Sequence, residues 1–135
     1  MSITTNLLAA LQADQAVSNA FTTIEHSLLT ELTVFEIKKE KLPSLILFPG
    51  EETTEPNEHD GFVAQYMTRH IHCLIVATIT DIDARKDDVR AVALGWQHDA
   101  QHDLTELLLA APQKQVGNYL YWLDSYITRT QIRQS

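Results

Sequence analysis

The residues with the most obvious chemical potential are His98-Asp99-Ala100-Gln101-His102. In the HExxH arrangement, two histidines one helical turn apart bind zinc while a carboxylate activates water. Here the acid is aspartate, one methylene shorter, and no third ligand stands nearby in the sequence, so a polar connection after a helix is the plainer reading. His70-Ile71-His72 places two imidazoles on one face of a strand, but no carboxylate or further histidine adjoins them, and a metal site is not expected there. Asp81, Asp83, Asp87 and Asp88 loosely resemble the clusters with which two-metal nucleases hold Mg²⁺, yet helix capping and the macrodipole explain them more simply. Glu36-Ile37-Lys38 matches the short E-x-K element of one nuclease class, a match that common residue types produce by chance. The four glycines are scattered, which excludes a glycine-rich phosphate loop, and no G-x-S-x-G elbow is present. No catalytic, cofactor-binding or metal site is therefore assigned, and the chain is not expected to be an enzyme. A small metal-dependent hydrolase or nuclease using His98, Asp99 and His102, or the Asp81 to Asp88 cluster, is the alternative of another class.

The elements that would position such residues are organised around Phe62–Thr80. Its second half sets Ile71, Cys73, Ile75, Ala77 and Ile79 on one face and His72, Leu74, Val76 and Thr78 on the other. Both faces are largely apolar, which predicts a central strand with helices on at least one side. Cys73, the only cysteine, falls in this segment and reads as a buried, inert thiol. Upstream, Thr4 or Thr5 is expected to cap a short helix carrying Leu7, Leu8 and Leu11, whereas residues 14–31 give a mixed signal. Val34, Phe35 and Ile37 suggest a strand, and Ser44 to Phe48 a buried strand stopped by Pro49-Gly50. Glu51 to Gly61 reads as a long exposed loop. Val89, Val92, Ala93 and Trp96 predict a helix with acids at its N-terminal end. Asp103 to Ala110 fits either a capped helix or a buried strand. Val116 to Ile132 reads as a hairpin bending at Asp124-Ser125. Helix, strands, helix, strands indicates one α+β domain over 1–135, with a mainly antiparallel or mixed sheet and helices packed on it.

At 135 residues the chain fits one domain that can bury roughly two-thirds of its unfolded surface. No apolar run approaches the roughly 20 residues that span a bilayer, and the start lacks the basic region of a signal peptide, so a cytoplasmic protein is expected. A net charge of −8 argues against general nucleic-acid binding. The charge is uneven: Glu51, Glu52, Glu55, Glu58 and Asp60 lie in one stretch, while Lys38, Lys39 and Lys41 form a separate basic cluster. Such blocks stay solvated unless something of opposite sign meets them. Tyr119, Tyr121, Trp122 and Tyr126 crowd one segment, and alternation sends some to each face, one building core and the other open to an interface.

A Leu-rich first helix, LPSLILFPGEE at 42–52, an acidic loop, a long strand, AVALGW at 91–96 and YLYWLDSYIT at 119–128 together resemble the phage tail terminator proteins of long-tailed phages. The resemblance runs nearly the full length and rests on structural residues. It implies a small α+β subunit of a homo-hexameric ring that caps the tail tube, stops tube polymerisation and presents a surface for head attachment. The implied partners are other copies of the chain, the tail-tube protein and the head-completion or connector proteins. No cofactor, membrane or specific nucleic acid is implied, although DNA passes through such a ring. The implied location is the head-proximal end of the virion tail, after assembly in the host cytoplasm. A head-tail connector or minor tail protein is the neighbouring alternative. For the interface, the 51–60 acids are expected to pair with the Lys38, Lys39 and Lys41 cluster of an adjacent subunit, with the Tyr119 to Tyr126 segment as a second contact.

Overall fold

A computed structural model describes residues 2–27, 36–56, 61 and 63–134. Among them a five-stranded mixed sheet carries three helices, an α+β fold of one domain. Helices α1 (Ile3–Ala13) and α2 (Gln15–Ala20) precede strand β1 (Thr23–His26); a single 3-10 turn (Lys39–Lys41) leads into β2 (Ser44–Thr54). Then come β3 (Val63–Thr78), α3 (Ile82–Ala93), β4 (Glu106–Val116) and β5 (Tyr119–Gln134). The sheet order is β1-β2-β3-β5-β4, with β1 parallel to β2 and every other pair antiparallel. The apolar stretch predicted to be central is therefore β3, in the middle of the sheet.

The two faces of β3 build two separate cores. Ile71, Cys73, Ile75 and Ala77 face Leu7 and Leu11 of α1, Val17 of α2 and Val89 and Ala93 of α3, together with Leu45, Leu47 and Tyr126. Leu74 and Val76 face the other way, with Ile46, Phe48, Tyr121 and Leu123, and this second core is flanked by Ile37 and Leu42 rather than by a helix. A strand apolar on both faces needs cover on both, and here a helical layer supplies one side and the 36–42 segment, with its 3-10 turn, part of the other.

Several expectations are corrected. The N-cap of α1 is Ser2, whose hydroxyl accepts from the Thr5 amide at 3.1 Å, so both threonines lie inside the helix. Asp14 ends α1 and caps α2, accepting from the Val17 amide. The strand starting at Ser44 does not stop at Pro49-Gly50: it runs to Thr54, and Glu51 and Glu52 are strand residues rather than loop. Proline is tolerated there because, among the described residues, β1 pairs with Ser44 to Leu47 and the rest of β2 lies at an edge, and the register slips between Pro49 and Glu52. Residues 103–110 become strand from Glu106 onward, exposed rather than buried. The hairpin expected within 116–132 is instead one continuous strand, β5; the hairpin present joins β4 to β5 and turns at Gly117-Asn118, with Gly117 at φ +58°, a conformation that favours glycine at the first loop position. Asp124-Ser125 is the buried middle of β5. Val34, Phe35, residues 28–31, Glu58, Asp60 and Phe62 lie outside the described residues, whereas Ile37 is described and belongs to no strand.

Gly50 sits at the bulge with no room for a side chain. A Cβ there would lie 2.6 Å from both His70 Cβ and His72 Nε2. The imidazole tip can swing aside, but His70 Cβ is fixed by its own strand. Gly50→Ala is expected to destabilise by about 1–3 kcal/mol through overpacking. Urea unfolding should show a lower midpoint with an unchanged slope.

Candidate functional site

The four aromatic residues expected at an interface divide between the two cores. Tyr126 is fully buried on the helical face, and Trp122 packs against that same core, with the Lys86 ammonium 3.7 Å above its ring. Tyr121 is buried on the opposite face, its hydroxyl accepting from the Ile37 amide at 2.9 Å. Tyr126 therefore offers no surface to a partner, and Tyr121 offers only the little that borders a cleft. Half-buried Tyr119 lines a cleft of about 510 Å³ with Tyr121, Glu36, Lys39 and Leu42, against the Gly117-Asn118 turn. Of the expected contact residues, this cleft brings together Lys39, Tyr119 and Tyr121.

The acidic and basic groups find partners on their own chain. Glu52 lies 3.5 Å from Arg69, its register partner on β3, and Glu55 lies 3.2 Å from Arg129 on β5. Lys41 reaches Glu25 at 3.8 Å. The backbone carbonyl of Glu51 accepts from His70 Nδ1 at 2.7 Å. Lys38 precedes the 3-10 turn that holds Lys39 and Lys41. Such exposed pairs contribute little to stability, on the order of 0–1 kcal/mol each, and remain available to exchange partners.

The feature that composition did not single out is the outer edge of the sheet. Among the described residues strand β4 is paired on one side only, and Leu104, Leu108 and Leu109 beside it are 57%, 55% and 52% exposed. A bulge between Leu107 and Leu109 breaks the two-residue alternation, so two consecutive leucines face solvent. Further along, Pro112 and Lys114 blunt the same edge. The sequence signal was present in the unalternating run ELLLAA, which neither a helix nor a half-buried strand explains.

The His98–His102 segment is no helical motif, because α3 ends at Ala93. It belongs to a loop clamped at its base by the Gly95 amide to the Thr105 carbonyl and the Thr105 amide to the Trp96 carbonyl. The Thr105 hydroxyl also donates to the Ala93 carbonyl. The loop is fastened to β5, where the Thr130 hydroxyl donates to the Gln101 carbonyl and that of Thr128 to the Asp103 carbonyl. Within it His102 Nδ1 donates to Asp99 Oδ1 at 2.7 Å, and His98 Nε2 lies 3.6 Å from Asp99 Oδ2. Asn6 of α1 contacts His98 Nδ1 at 2.9 Å. The two imidazoles meet edge to face with centroids 4.8 Å apart.

The other candidate groups resolve into structural roles. His72 hydrogen-bonds Ser125 Oγ at 2.6 Å and stacks obliquely on Phe48. Burial, reinforced by His70, lowers its pKa. Cys73 is enclosed, and burial with nearby Asp124 pushes its thiol far above the usual range, so it carries no nucleophilic thiolate at neutral pH. Asp81 holds the N-cap position of α3 but makes no side-chain capping bond, while Asp83 and Asp88 pair with Lys86 and Arg85.

Burial also lowers the pKa of His98, assisted by His102 and Arg69 and opposed by Asp99. His72 and His98 thus share one sign: the unfolded chain takes up protons at about pH 6.5 while the folded chain resists until lower pH. Their contribution to stability is present above that value and is lost as pH falls below it. The hydrogen bond from His102 lowers the pKa of Asp99, adding a second loss at pH values below the ordinary carboxylate range. The urea midpoint is expected to fall between pH 7.5 and pH 5.5, and His98→Gln to flatten part of that slope; equal midpoints at the two pH values would contradict the assignment.

No protein-family model matches the chain, and no curated protein matches it.

Proposed function

We propose that the chain is a structural subunit of a closed homo-oligomeric ring, of the kind formed by phage tail terminators, that caps a tail tube and presents a surface for head attachment. The observation that supports this reading most is the exposed leucine-bearing edge formed by Leu104, Leu108 and Leu109 along β4. An apolar edge strand is a template for association, and monomeric proteins blunt such edges along their length. Here the Pro112–Lys114 half is blunted and the leucine half is not. A head-to-tail contact would join this edge to a different surface of the next copy, and such heterologous contacts close into rings when the rotation allows. The cleft by Lys39 and Tyr119 and the outward acids Glu51, Glu52 and Glu55 provide further surface for the tube and connector proteins. The reading assigns no catalytic residue, and places the protein at the head-proximal end of the tail after assembly in the host cytoplasm.

Electron microscopy of tails assembled without this protein tests the proposal. Tubes of uncontrolled, excessive length are the expected result. Tails of normal length that lack heads would instead identify a connector, and normal virions would overturn both readings.

A further inference from the structure

The loop joining α3 to β4 is built more elaborately than a surface connection requires. We infer that His98, Asp99 and His102 form a binding site for one divalent ion of the zinc class. One ligand atom from each of the three lies within 4.8 Å of the other two. A tetrahedral zinc site, with bonds of about 2.0–2.1 Å, needs donor-to-donor edges of roughly 3.3–3.4 Å. The His98 Nε2 to Asp99 Oδ2 separation of 3.6 Å is already near that value. Two imidazoles and one carboxylate are a donor set that suits zinc and its first-row neighbours better than magnesium or calcium.

The ligand nitrogen of His102 is Nδ1, which lies 2.7 Å from Asp99 Oδ1. The two ring nitrogens of an imidazole point in divergent directions, so Nε2 is turned away from Asp99 and does not share an ion with it. An opening of that contact by roughly 0.6–0.7 Å reaches the tetrahedral edge. The ring is already held in place, its side chain only 7% exposed.

The surrounding groups are those that orient metal ligands. Metal-bound histidines are usually held through their second ring nitrogen or by a neighbouring carboxylate. Asn6 contacts Nδ1 of His98, and a half-turn of its amide offers Oδ1 to an Nδ1–H, so it serves either tautomer. The Gln101 amide donates to Asp99 Oδ1 at 2.9 Å, and the Gln97 amide group donates to the His102 carbonyl. Coordination would displace the proton on each ligating nitrogen and leave at least one position for water or a donor from a neighbouring molecule. Because Asn6 belongs to α1 and Thr130 to β5, a bound ion would fasten three parts of the chain at one point.

The test uses the full-length, untagged protein after chelator treatment. Zinc titrated by calorimetry should bind at one ion per chain and raise the melting temperature. His98→Gln and Asp99→Asn should each weaken binding by at least about tenfold, the loss seen for even an outer partner of a metal ligand. Should either variant fail to fold, histidine side-chain ¹⁵N shifts of the wild type decide. On adding zinc, His98 and His102 should move among the six histidines. No zinc binding by the wild type, undiminished binding by folded variants, or shifts confined to His70 and His72 would each overturn the site.

Discussion

Asp124→Ala is expected to lower stability by about 3–5 kcal/mol, the range for breaking a buried charged pair from one side. The carboxylate is fully buried and uses both oxygens twice. Oδ1 accepts from Arg90 Nη2 at 2.9 Å and Trp122 Nε1 at 2.8 Å; Oδ2 accepts from Arg90 Nε at 2.9 Å and the Tyr126 hydroxyl at 3.1 Å. Removing it strands four donor groups on three residues. Arg90 can turn partly to water, since its side chain is 27% exposed, but the Tyr126 hydroxyl cannot, because Tyr126 is completely enclosed. Asp124→Asn keeps the shape but sets an amide NH2 against two of these donors, whichever oxygen it replaces, so it should fail to restore wild-type stability. Arg90→Met leaves a buried carboxylate with its only charged partner gone, and should cost at least as much as Asp124→Ala. Urea unfolding followed by circular dichroism measures all three; an Asp124→Ala variant within about 1 kcal/mol of wild type would remove the network from the account of what holds α3 on the sheet.

The second large effect is on assembly. Leu108→Lys should leave the isolated chain within about 0.5 kcal/mol of wild type, as surface substitutions generally do. Under the proposed ring-subunit reading, it should nevertheless abolish assembly. A leucine seated in an interface can contribute about 2 kcal/mol or more, and a closed ring repeats the loss at every contact. A lysine placed at an edge strand is also a common natural device against edge pairing. Sedimentation and electron microscopy of tails supplied with the variant read the outcome. Rings that form normally, with tubes of normal length, would show that the β4 edge is not the contact.

What could be read from the residues was what period and burial encode. The stretch apolar on both faces had to be central, and β3 is. The 3.6-residue spacing of Val89, Val92 and Ala93 placed α3, although Trp96 falls beyond its end. The misreadings share a cause, which is that local polarity was taken for exposure. Asp124-Ser125 looked like a bend because its acceptors are satisfied by Arg90 from an element 34 residues earlier and by its strand neighbours, which spacing does not reveal. Pro49-Gly50 looked like a stop because whether a proline breaks a strand depends on which side is paired. In the histidine loop, spacing likewise does not reveal that Asn6, 92 positions away, reaches His98.

The β3–β5 ladder also has a kinetic meaning. It is the longest pairing in the sheet, from Val63↔Gln134 to Thr78↔Tyr119, and every pair joins residues far apart in the chain. Closing it requires that α3 and β4 already occupy the span between the two strands. The local step is the β4–β5 hairpin, whose Val116↔Tyr119 pair closes a two-residue loop. Formation of that hairpin would align β5 once, after which β3 can zip along it with a single loop-closure penalty instead of one per contact. During translation the central strand emerges well before its partner, so this apolar segment waits with one side unpaired until β5 has been made.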